Sequence, residues 1–122
     1  MRHLILILPL LFSFVSKAQE PRLTRAADGR LSQSQHDIYD SHDRIAVSVI
    51  YEYDDSTGAV TTRTLRGYDR QGRVQRIEIY SADERLLFTE TYHYRRNGHL
   101  RKRVQCTYDD DGVLIDKSII KP

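Results

Sequence analysis

The chain has 122 residues, of which 39% are hydrophobic and 30% charged, with one cysteine and a formal net charge of +2. These values fit one domain with a modest core and exclude an intrachain disulfide. Arg2 and Lys17 lie in residues 1–18, which contain no acid; without them 17 cations face 17 acids. The small positive charge is therefore no nucleic-acid footprint, and no specific nucleic-acid binding is expected.

Residues 1–18 read as a signal peptide. Arg2 supplies the charged start, the stretch from Leu4 to Val15 is apolar apart from Pro9 and Ser13, and Ser16-Lys17-Ala18 fits a small-x-small cleavage site. The apolar run is shorter than the roughly 20 residues that span a bilayer. No cysteine follows it, as a lipidated N-terminus would require. The expectation is a secreted or periplasmic protein, cleaved near Ala18, with no transmembrane segment in the mature chain. Residues 19–30 read as an irregular lead-in, with Pro21 near its start, and residues 31–122 as one β domain.

Seven strands are predicted, over 31–39, 45–53, 60–68, 74–80, 86–94, 100–108 and 114–120. They follow a repeat, best seen in Tyr68-Asp69-Arg70-Gln71-Gly72-Arg73-Val74. The glycine slot holds Gly29, Asp43, Gly58, Gly72, Glu84, Gly98 and Gly112, spaced by 14, 15, 14, 12, 14 and 14 residues. The aromatic slot holds Tyr39, Tyr53, Tyr68, Tyr80, Tyr94 and Tyr108, with Arg25 in the first unit. Tyr51 and Tyr92 lie two residues before a slot tyrosine, on the same face of a strand.

The turn has a mechanism. A type I turn followed by a left-handed residue closes a three-residue hairpin loop. Gly72 accepts the positive φ without cost. Asp43 tolerates it, whereas Glu84 is a poorer fit and predicts a different turn. The extra residue of the 15-residue unit is placed in the 54–58 loop. The expected fold is an all-β, antiparallel up-and-down meander of six or seven strands, as a single twisted sheet or a partly closed barrel.

Each post-turn apolar residue is an even number of residues from the next tyrosine. In a period-two strand this predicts all slot tyrosines on one face, with Ile45, Val47, Val49, Phe88, Val104 and Cys106. The other face would carry Ile50, Leu65, Ile77, Ile79, Leu87, Ile115 and Ile119. This register sets Arg66 opposite Arg76, and Arg76 opposite Glu90.

The series of Tyr-Asp-x-x-Gly-Arg motifs resembles the YD repeats of the RHS family. Weaker copies are Tyr39-Asp40-x-x-Asp43-Arg44-Ile45 and Tyr108-Asp109-x-x-Gly112-Val113-Leu114. The resemblance covers nearly all of the chain after residue 18 and implies a β-sheet strip built from hairpins. It does not carry over encapsulation of a cargo, because the chain is far too short to enclose one. Its unit of one strand per motif is also shorter than the usual repeat. The chain resembles, as well, small secreted repeat proteins of bacterial envelopes.

Candidate chemistry is sparse. Asp109-Asp110-Asp111-Gly112 lacks the alternate acids of a calcium loop and reads as an acidic turn, as does Asp54-Asp55. His36, His42, His93 and His99 lack zinc spacing. Cys106 is expected as a buried residue beside Phe88. No nucleophile elbow appears. A paired-carboxylate reading of Glu78 and Glu90 lacks a cleft. No cofactor or metal is expected, and an enzyme is not.

The expected function is non-catalytic binding or a structural role in the bacterial envelope, through a protein partner. Glycan recognition at the cell surface and a small inhibitor or immunity protein are the alternatives. Homo-oligomerisation is also open, because sheet edges invite strand addition. Tyr51, Tyr53, Tyr92, Tyr94, Arg76 and Glu90 are the candidate contacts, since tyrosines offer rigid area with a polar tip. Arg101 and Arg103 belong to the one basic run, 95–103, and are expected on one side of their strand with Lys102 on the other.

Overall fold

A computed structural model describes residues 21–122. The signal peptide assigned to residues 1–18 lies outside the described residues. Eight strands follow in order: β1 (Arg22–Arg25), β2 (Leu31–Tyr39), β3 (Ile45–Tyr53), β4 (Val60–Tyr68), β5 (Val74–Ser81), β6 (Leu86–Tyr94), β7 (Leu100–Tyr108) and β8 (Leu114–Ile120). They form one antiparallel sheet in sequential order. It does not close into a barrel: contacts between elements join sequential neighbours. The lead-in adds an eighth strand, because Arg22 to Arg25 pair with β2 and Arg22 reaches Asp37 at 2.7 Å.

Six of the seven turns share one hydrogen-bond pattern. The Asp69 amide donates to Arg73 O at 2.9 Å, and the Gly72 amide to Asp69 O at 3.0 Å. The motif aspartate holds this geometry with its side chain: Asp69 accepts from the Gln71 amide, the Arg73 amide and Arg73 Nε at 2.8–3.0 Å. Asp40 and Asp109 repeat the backbone part of this cap. Asp43 and Glu84 adopt φ of 62° and 67° in the glycine slot. The Glu84 turn does not differ as expected. It makes the same two backbone bonds, and Arg63 binds the Glu84 carboxylate at 2.9 Å. The 54–58 loop absorbs the extra residue, with Asp54 bonded to Ala59 across it.

The register corrects the expected faces. Tyr68 pairs with Val74, as the turn requires, but Gly67 pairs with Arg76. Gln75 is left over as a one-residue bulge. Every hairpin repeats this, at Ser32, Ala46, Thr61, Gln75, Leu87, Arg101 and Ile115. One extra residue reverses the period-two alternation. The even spacing from post-turn residue to tyrosine therefore ends on the opposite face, not the same one.

The slot tyrosines consequently alternate faces from strand to strand. Tyr39, Tyr68 and Tyr94 lie on a first face, paired with Ile45, Val74 and Leu100. Tyr53, Tyr80 and Tyr108 lie on the second, paired with Val60, Leu86 and Leu114. Antiparallel strands end at opposite edges, so each face carries an aromatic–aliphatic row at its own end of the sheet. Arg66 faces Ile77 rather than Arg76, which removes the like-charge pair.

Little is buried in this single layer. Among the described residues, Ile50 is the one buried hydrophobic; Ser34, Asp37, Ser48, Thr89 and Glu90 are the buried polar ones. The sheet is held by cross-strand pairs rather than by a core. No helix of the described residues is long and apolar enough to cross a membrane.

Candidate binding surfaces

Three clusters stand out, two on the first face and one on the second. On the first face Glu90 is buried and accepts from Tyr92 OH at 2.6 Å, Arg103 Nη1 at 3.1 Å and Gln105 Nε2. Register places Glu90 opposite Gln105 and Tyr92 opposite Arg103, so β6 and β7 supply the whole cluster. Burial, then the Glu90 carboxylate, push the Tyr92 hydroxyl above its ordinary pKa. Beside it, the Arg73 guanidinium lies 4.2 Å over the Tyr94 ring, and Tyr94 OH donates to Val74 O. Burial and the nearby Asp69 charge raise the Tyr94 pKa as well.

Near the β1 edge of the same face, Asp37 is buried among Arg22, Gln35 and Ser48 at 2.7–3.0 Å. Burial pushes its carboxyl up, but hydrogen bonds from Gln35 and Ser48 and the Arg22 charge outweigh that and hold it below the ordinary value.

The second face carries a notch. Gly67 sits inside β4 and presents no side chain there. Val47, Leu65, Arg76 and Glu78 stand around it, enclosing a shallow depression of about 160 Å³. Val47 and Arg76 flank Gly67 in register, and Glu78 opposes Leu65. Arg76 Nε donates to Glu78 at 2.7 Å and Tyr80 OH to the same carboxylate at 3.1 Å. Burial first, then Glu78, raise the Tyr80 pKa. A strand glycine often marks close approach of another group. A Cβ at Gly67 would meet the Arg76 carbonyl oxygen only at 3.8 Å, so the fold itself accepts a side chain there.

The expected contacts are thus divided. Glu90, Tyr92, Tyr94 and Arg103 share the first face. Tyr51, Tyr53 and Arg76 belong to the second. Arg76 and Glu90 do not meet: Arg76 pairs with Thr91, and Glu90 with Ile77. Arg101 and Arg103 do not act as one basic patch, because Arg101 is the unpaired bulge residue and Arg103 is bound by Glu90. Cys106 is half-buried on the second face opposite Thr89, away from Phe88, which pairs with Thr107 on the first. Tyr53 OH shares a 2.8 Å hydrogen bond with Ser34, and Tyr51 meets His36 edge-on at 6.2 Å.

Sequence reasoning missed the Gly67 notch and the Asp37 cluster. Gly67, alone among the glycines in lying within a predicted strand, was the available signal. Asp37 had none, because its partners come from three strands. Among the described residues, no three His, Cys, Asp or Glu side chains converge as a metal site requires. No protein-family model matches the chain, and the search of curated proteins finds no match.

Proposed function

We propose that this is an exported, non-catalytic binding protein of the bacterial envelope that holds a protein partner against one face of its sheet. The single observation that carries the reading is the pair of aromatic–aliphatic rows, all six slot tyrosines half-exposed on a one-layer sheet. Such rows offer rigid apolar area with polar tips, the composition of protein-binding surfaces. The second face fits best, because the Gly67 notch adds a recess with apolar walls and one charge of each sign. The N-terminal pattern of residues 1–18 supports export, and the turn chemistry supports kinship with YD-repeat proteins. Glycan recognition is less favoured, since it asks for exposed rings gathered on one face.

The test is crosslinking capture from a native envelope extract with three baits. They are the native chain, a Tyr51→Ala/Tyr53→Ala variant of the second face, and a Tyr92→Ala/Tyr94→Ala variant of the first. Each is checked for native circular dichroism. A protein captured by the native bait and the first-face variant, but lost from the second-face variant, supports the reading. Equal capture by all three, or by none, overturns it.

A further inference from the structure

The two edges of the sheet are built differently. β1 is four residues long, follows Pro21 and carries Arg22 and Arg25. Short length, proline and positive charge are the usual means of keeping an edge from pairing. β8 is longer, has no proline among its seven residues and carries a single positive charge, Lys117. It is exposed along nearly its whole length: Leu114 is 46% exposed, Ile115 61% and Ile119 55%. One side of its backbone has no strand beside it, as the sheet ends there.

The sequence of β8 is self-complementary. Leu114-Ile115, then Asp116-Lys117-Ser118, then Ile119-Ile120 run apolar, polar, apolar, symmetrically about Lys117. An antiparallel pair of identical strands has a two-fold axis through one self-paired residue. Placed at Lys117, that axis sets Asp116 against Ser118 of the second copy, and Ile119 against Ile115, the bulge residue of β8. Shifts of one residue to either side bring isoleucines against charges. Binding to an unrelated strand would not call for this symmetry.

We propose that the β8 edge pairs with the β8 edge of a second copy of this chain, two-fold about Lys117, making a continuous sixteen-stranded sheet from the two eight-stranded ones. The contact is isologous and closes on itself, whereas β8 against β1 would propagate without end. The proposal goes beyond partner binding and does not depend on it, because the edge and the faces are separate surfaces. The interface is small, so dissociation constants of about micromolar or weaker are expected. The Lys117–Lys117 apposition is its one unfavourable pair. Lys117→Thr should tighten the dimer about two- to fivefold.

The experiment combines sedimentation of the full chain with site-specific disulfides. Cys106 lies opposite Lys117 within the chain and would trap a cysteine there, so the disulfide variants carry Cys106→Ser. Lys117→Cys alone should give a covalent dimer. Asp116→Cys and Ser118→Cys should crosslink when mixed and not when separate. Ile119→Lys should weaken the dimer at least about tenfold. Hydrogen exchange confirms that each variant keeps the sheet. A monomer at concentrations up to about millimolar, a dimer indifferent to Ile119→Lys, or crosslinking of β8 to Leu23→Cys on β1 would overturn the proposal.

Discussion

The β4–β5 and β7–β8 hairpins are two copies of one motif in different surroundings. Both open on Tyr-Asp and close on glycine, and their turn hydrogen bonds agree within 0.1 Å. After the glycine, one has Arg73 and the other Val113. Arg73 bonds Asp69 at 2.8 Å and covers the Tyr94 ring of the next strand but one from β4. Val113 is 57% exposed. The strands that follow diverge too: Ile79 is half-buried with a strand on each side, whereas its counterpart Ile119 on the edge is 55% exposed. Turn shape is therefore local, and burial depends on neighbours.

The largest effect should be common to both hairpins. Gly72 and Gly112 have φ of 81° and 80°. Valine at either position is strained by about 2 kcal/mol. Amide exchange near each turn should report a similar loss of protection. A clear difference between the two would show that neighbours shape the turn after all.

The arginine should then separate them. Arg73→Ala removes an ion pair and a ring contact, about 1–1.5 kcal/mol by chemical denaturation. Val113→Arg gains no second ring and should stay within about 0.5 kcal/mol. Strand neighbours give the next contrast. Ile79→Ala should cost about 1 kcal/mol, and Ile119→Ala in the monomer less than about 0.5 kcal/mol.

Acid gives the smallest effect, and a third hairpin reads it. Hydrogen bonds from the Ser56 hydroxyl and the Thr57 and Ser56 amides lower the Asp54 pKa from 3.8 to about 2. A depressed carboxyl stabilises the fold above its unfolded pKa and loses that contribution as pH falls through the folded one. Exchange protection at Ser56 and Thr57 should therefore fade between about pH 4 and pH 2. Asp54→Asn should flatten that profile.

Seven of the eight strands were legible because turn chemistry is local. Aspartate caps two amides, and a residue of positive φ closes the loop, wherever the motif falls. Even Glu84 obeyed, since the pull of the two flanking strands exceeds its backbone strain. β1 was not legible, because four polar-flanked residues become a strand only when β2 offers them an edge. The candidate contacts were legible as strand residues but not in arrangement. Tyr51, Tyr53, Tyr92, Tyr94, Arg76 and Glu90, expected together on one face, divide between the two. The expected apposition of Arg66 with Arg76 was the one warning that the register was off by a residue.

By itself, the sequence determined where the chain turns, the extent of β2 to β8 to within a residue, and that neighbouring strands run antiparallel. These follow from short-range sterics and from hydrogen bonds within five or six residues. The tertiary structure decided which side of the sheet each residue faces. The seven bulge positions share no residue type: they hold Ser32, Ala46, Thr61, Gln75, Leu87, Arg101 and Ile115. A bulge arises where the tight turn meets the twist of the paired strands, so backbone geometry sets it. In a structure of period two, one such residue is enough to move a tyrosine from one surface to the other.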